Sequence, residues 1–95
     1  MRVVLVERYG HLGGLATGGL VIWLPGFRPG GSDVYGGIPL EWVQRVDRAG
    51  GTAYREISET KHSVLADPEL LKCAALDMLV GAQVDPLFHA WSVSA

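Results

Sequence analysis

The stretch Val3-Val4-Leu5-Val6-Glu7-Arg8, followed by Gly13-Gly14-Leu15-Ala16-Thr17-Gly18, decides how this chain reads. Val3 to Val6 is an unbroken aliphatic run of strand length. Its lack of alternation implies burial on both faces, as in the middle of a parallel sheet. The run ends in a carboxylate, Glu7, with Arg8 beside it. After Tyr9 to Leu12 comes the glycine pair. Between Tyr9 and Gly19, glycines at 10, 13, 14, 18 and 19 prevent regular structure or allow at most one helical turn.

Beyond this stretch, Leu20 to Leu24 is a second apolar run that suits a short strand. Pro25 to Gly37 reads as a loop, with turn signals at Pro25-Gly26, Pro29-Gly30-Gly31 and Gly36-Gly37. A helix is expected from about Ile38 to Ala49. Pro39 fits its first position, Leu40, Val43, Val46 and Ala49 form one stripe, and Gly50-Gly51 stops it. Thr52 to Ala66 is polar and weakly patterned, and Glu56 to Lys61 reads as a solvated connection.

Asp67-Pro68-Glu69 then opens a second helix, with an N-cap acid, a first-turn proline and an acid favoured by the helix dipole. Leu70, Leu71, Ala74, Ala75, Met78 and Leu79 repeat at core-facing spacing, and Gly81 closes the helix. Val84 to Val93 reads as a strand, with Pro86 forcing an edge position or a start near residue 87. Two strands joined through helices favour a parallel pair with a crossover. The fold class is therefore α/β, and two parallel strands alone want neighbours and cover.

Composition narrows the classes. The 95 residues are 48% apolar and 19% charged, which is the profile of one small globular domain. A net charge of −2 carries no footprint for nucleic acid or anionic lipid. The single Cys73 excludes an internal disulfide framework and a cysteine-based zinc site, and reads as a small core residue of the second helix. His11, His62 and His89 lack partners at ligand spacing, so no metal site is expected. The uncharged stretch from His11 to Phe27 is broken by glycines and Pro25, which makes it a poor membrane span. A soluble cytoplasmic protein is the expectation.

Glu7 is the first candidate for chemistry. An ionised acid at the carboxyl end of a buried strand can accept hydrogen bonds from both hydroxyls of a ribose, each worth roughly 1.5–3 kcal/mol. It would repel a 2′-phosphate. The plainer reading is a strand-end acid facing water or pairing with Arg8. Gly13-Gly14 lets a phosphate or ribityl chain approach bare backbone, and Thr17 offers a hydroxyl nearby. His11 stands between the acid and the glycine pair. Trp23, Phe27 and Tyr35 read as aromatics fixing a loop against the core, with stacking on a ligand ring as the alternative, and Trp42 and Trp91 as packing residues.

The stretch Val3 to Gly19 resembles the second strand and following loop of FAD-dependent oxidoreductases of the glutathione-reductase-like class. Gly36-Gly37-Ile38-Pro39, Asp67-Pro68-Glu69-Leu70-Leu71-Lys72 and Val84 to Ala95 resemble later segments of that family in the same order. The resemblance implies a partial Rossmann-like FAD-binding domain over residues 1–95: second strand, glycine-pair loop, two crossover helices and a following strand. Glu7 and Arg8 would then face the adenosine ribose. Gly13, Gly14 and neighbouring main chain would line the pyrophosphate and ribityl portion, and Leu15 to Gly19, with Leu15, Ala16 and Thr17 as its cofactor-binding residues, would approach the flavin side. The family's Gly-x-Gly-x-x-Gly loop has no counterpart in this sequence. The expectation is a fragment of a flavoprotein oxidoreductase with FAD as cofactor and a small-molecule substrate. Its bare sheet edge would be open to self-association. Two alternatives stay open: a small nucleotide- or partner-binding module, and a truncated product without independent activity.

Overall fold

The computed structural model describes residues 1–95. The elements run in the order β1 (Val3–Val6), a single 3-10 turn (Gly14–Ala16), β2 (Trp23–Pro25), β3 (Phe27–Arg28), β4 (Gly31–Ser32), α1 (Gly37–Arg48), β5 (Thr52–Ser58), β6 (Lys61–Ala66), α2 (Pro68–Gly81) and β7 (Val84–Leu87). The fold is mixed α/β, with β1 and β7 forming a parallel pair in which Val3 lies opposite Val84 and Val6 opposite Leu87.

The expected parallel pairing is present, but its second strand is shorter than the sequence suggests. It stops at Leu87 because His89 takes a positive φ of 55°, which turns the chain out of the extended line. The residues beyond still hug β1: His89 N donates to Tyr9 O and Ala90 N to Glu7 O. Pro86 sits opposite Leu5 within the strand. β7 has β1 as its one neighbour, so it is an edge strand, where a missing N–H is tolerated.

The larger surprise is an antiparallel sheet of order β2-β6-β5. The Thr52–Ala66 segment, read from sequence as a weakly patterned connection, is a hairpin with Thr52 opposite Ala66 and Ser58 opposite Lys61. Glu56 to Lys61 is solvated, as expected, but it forms the hairpin's tip. The Pro25–Gly37 segment likewise holds a short ladder: Phe27 pairs with Ser32 across the Pro29-Gly30 turn. Its Gly30 adopts the positive φ that such a turn requires. The apolar run at 20–24 contributes β2 only from Trp23 onward, because Leu20 is held at φ 57°.

Both helices form where capping chemistry places them. Asp67 Oδ1 accepts from the backbone N–H groups of Glu69 and Leu70, at 2.8 and 3.1 Å, and so caps α2. α1 begins at Gly37, which puts Pro39 inside its first turn, where N–H groups have no helical acceptor. Val43 and Val46 are its buried pair, while Ala49 at the C-cap is exposed.

The core joins these helices to the antiparallel sheet. Val46, Ala66, Leu71 and Ala74 make one cluster, and Phe27, Val43 and Val64 another beside it. The α2 helix touches the parallel pair through β7, and its buried side chains Leu71 and Ala74 face α1 and β6. Cys73 is exposed, contrary to the core role read from sequence. At ~100° per residue it falls on the far side of the helix from the Leu71–Ala74 stripe. No helix is long and apolar enough to cross a membrane.

Candidate functional site

The candidate residues gather where β1 ends and the glycine loop begins. Glu7 is half-buried; its N–H donates to Leu87 O at 2.9 Å and its carbonyl accepts from Ala90, so its backbone is fixed from both sides. Its carboxylate Oε1 accepts from Tyr9 N at 3.0 Å, which closes a tight turn after the strand. One carboxylate oxygen therefore shapes the turn, and Oε2 keeps its full acceptor capacity for a further donor.

Arg8 does not pair with Glu7. Its guanidinium lies over the Trp91 ring at 3.9 Å and over the Tyr9 ring at 4.9 Å. Trp91, read from sequence as a packing residue, has a mostly exposed ring that serves as this cation's platform. Glu7, Arg8, Trp91 and Ser92 border an open cleft of about 380 Å3.

On the other side of Tyr9 lies the glycine loop. Gly13, the N-cap of the 3-10 turn, takes a φ of 97° and Gly14 a φ of 51°, and space is open for 4 Å around the position of Gly14's absent Cβ. A side chain at Gly13 would collide with Thr17 at 2.5 Å and approach the Trp42 ring at 3.2 Å, so the loop folds this tightly only with glycine there. Leu15 is exposed and Ala16 half-buried within the 3-10 turn.

Thr17 is placed differently from the sequence expectation. It is fully buried, and its hydroxyl donates to Leu12 O at 2.6 Å. It ties the loop together from within rather than presenting its hydroxyl outward. His11 joins that tie, with Nδ1 3.3 Å from Thr17 Oγ1 and its ring stacked on Tyr9 at 5.8 Å between centroids. The His11 ring also lies against Gly18, where any side chain would strike it. Tyr9, His11, Gly14, Leu15, Gly18 and Gly19 border a second cleft of about 430 Å3.

The site is thus two clefts flanking the Arg8–Tyr9 junction. One holds a carboxylate beside a cation stacked on an indole; the other is walled by bare backbone, a phenol and an imidazole. The first offers an unused carboxylate oxygen and a cation, and the second exposed main chain beside two aromatic rings. Sequence reasoning singled out Glu7, Arg8 and the glycine pair, which the structure brings together at the end of β1, and noted the position of His11. It missed Tyr9, and it could not see Trp91, which reaches Arg8 only because β7 delivers the chain's last residues beside β1.

No curated protein and no solved structure matches the chain. The profile of the family described as FAD dependent oxidoreductase does match, and it does so over residues 1–95. On that full-length match, the chain belongs to the FAD dependent oxidoreductase family.

Proposed function

We propose that this chain is the part of a flavoprotein oxidoreductase that holds the adenosine ribose and pyrophosphate of FAD, on a partial Rossmann-like domain over residues 1–95. The observation that carries the reading is the placement of Glu7. It ends a strand of a parallel pair with one carboxylate oxygen used in a turn and the other left as an acceptor. Within one loop of it lies backbone that no side chain covers, at Gly14.

These residues fit the group. Glu7 would accept from the ribose hydroxyls, and its charge would select against a phosphate at that position. Arg8, held flat on Trp91, would offer a cationic and apolar face to the nucleoside end. Gly13 and Gly14 would admit the pyrophosphate and ribityl chain, with Leu15 and Ala16 toward the flavin. Thr17 and His11 would hold the loop's shape and make no direct contact through the threonine hydroxyl. When bound, FAD supplies the redox chemistry; the chain binds it and orients it.

Titration of FAD into the purified chain, followed by quenching of flavin fluorescence, tests this. Glu7→Gln keeps the shape and one acceptor but removes the charge. It should weaken binding by about 1–3 kcal/mol, roughly five- to a hundredfold. Glu56→Gln, on the β5–β6 hairpin, should leave binding unchanged. If the two variants behave alike, the ribose assignment falls.

A further inference from the structure

A third cavity, of about 220 Å3, lies between α1 and the segment that runs from β2 through β4 to Tyr35. Its walls are Leu24, Phe27, Tyr35, Pro39, Trp42 and Val43, with Pro25 at the edge, and no ionisable group other than the Tyr35 phenol borders it. An apolar cavity of ~150 Å3 takes a benzene ring and stays dry. The space here opens to solvent on one side, unlike such a cavity, and its apolar walls leave room for one ring with a short substituent.

The rim of this pocket is built by contacts of the β3–β4 hairpin and the residues that follow it. Tyr35 stacks on Phe27 with centroids 5.1 Å apart. Its backbone N–H donates to Ser32 Oγ at 2.7 Å, Val34 N donates to the same oxygen, and that hydroxyl donates in turn to Gly26 O. Gly26 has a φ of 86°, and a side chain there would strike Val34 and the Tyr35 ring, so glycine lets the phenol close over the cavity. Asp33 anchors the same segment, bridging His62 at 2.9 Å and Arg28 at 3.4 Å.

One residue connects this cavity to the glycine loop. The Trp42 ring forms a wall of the cavity, and its far edge lies against Gly13 of the glycine loop. The indole N–H is fixed to Leu71 O at 2.8 Å, so the ring has little freedom to swing away. Trp42 thus stands between this pocket and Gly13, while bordering neither of the two clefts of the candidate site.

We propose that this pocket binds a small uncharged planar ring. The aromatic faces of Phe27, Tyr35 and Trp42 supply the contact. The Tyr35 hydroxyl at the rim meets one polar substituent. The lack of any lysine or arginine in the wall excludes a carboxylate on the part that enters.

Benzyl alcohol and benzoate, titrated separately into the full chain, test this by proton–nitrogen NMR of the three indole N–H signals. Benzyl alcohol should shift the Trp42 signal saturably in the low-millimolar range while those of Trp23 and Trp91, both exposed, stay in place. Benzoate should bind at least tenfold more weakly. Tyr35→Ala removes the cover and Pro39→Phe fills the mouth; each should weaken benzyl alcohol at least fivefold with an unchanged far-ultraviolet spectrum. A linear shift of all three indoles, equal binding of benzoate, or full binding by both variants would overturn the proposal. Failure of FAD to bind a chain that still takes benzyl alcohol sinks the flavoprotein reading alone. Failure of benzyl alcohol in a chain that binds FAD sinks the cavity alone.

Discussion

Around the β2-β6-β5 sheet, Val43, Val46, Val64 and Leu71 are all but lost from solvent, whereas Val3, Val4, Val6 and Leu87 of the parallel pair keep 43%, 50%, 50% and 51% of their surface exposed. The residue types are the same; their surroundings differ. The antiparallel half has a helix on each flank of its core. The parallel half is two strands held by backbone hydrogen bonds and one exposed ion pair, Arg2 with Asp85 at 2.8 Å. A two-stranded sheet is marginal by itself. The whole chain exposes 6525 Å2, against about 5,300 Å2 for a compact protein of its mass, and the surplus exceeds the ~800 Å2 that one partner gives to an ordinary interface. The antiparallel region holds the buried core, and the parallel pair belongs to the surface left uncovered, which also includes Trp23, Ile57 and Leu65 of the antiparallel strands.

The sharpest way to break this contrast is to cut into each half equally. Leu71→Ala should cost about 2–5 kcal/mol in urea denaturation, since it empties the centre of the core, while Val6→Ala should change stability by no more than about 0.5 kcal/mol. Equal losses would mean that the parallel pair is packed after all. The next effect concerns what holds the halves' ends. Asp67→Ala should cost about 1 kcal/mol by freeing two N–H groups at the start of α2. Removing Arg2 from its exposed pair should cost less than about 0.5 kcal/mol.

If the parallel pair's apolar surface associates between copies, Val6→Lys should lower the sedimentation coefficient at high concentration and remove the concentration dependence of the melting temperature, leaving the dilute value unchanged. A coefficient that is the same for parent and variant would show that this surface does not join copies of the chain. The smallest effect is at alkaline pH. Burial and the nearby Asp47 carboxylate raise the Tyr54 pKa above its ordinary 10.0. The folded state thus holds that proton more tightly than the unfolded one. Its contribution is complete below pH 10 and fades as pH rises through the folded-state value. Tyr54→Phe should flatten the decline, and an unaltered alkaline slope would remove Tyr54 as its source.

Much of this was legible in residue order. The β1 strand, both helices, the Asp67 cap and the parallel pairing follow from apolar spacing and capping chemistry, which act locally. The burial of β1 on both faces that its lack of alternation implies is not met, because β7 is its one neighbour and Val3, Val4 and Val6 stay exposed. The β5–β6 hairpin was hidden because most of β5 faces water, so no alternation marks it. Its Glu59-Thr60 tip also lacks the Asn-Gly or Asp-Gly chemistry that announces a tight turn. Ser63 and Val64 are both buried because β6 is the middle strand, a fact of sheet order that sequence does not carry. In the candidate site, Glu7 and the glycine pair were visible as a spacing. The turn of Thr17 inward and the seating of Arg8 on Trp91 depend on which surfaces meet after folding, and no local pattern encodes them.

The register of β1 has a kinetic side. Val3 finds its partner in Val84, about 80 positions later, while α1, β5, β6 and α2 contact one another within a contiguous stretch. Closing so long a loop is an entropic cost met before any contact repays it, so the 37–81 segment should gain structure first and the parallel pair last. During synthesis, at ~5–20 residues per second, β1 would wait roughly 4–16 seconds for its partner to emerge. For that interval its valines have no strand beside them. The segment that carries Glu7 is then the last to become native and the most exposed to chaperones while the chain is being made.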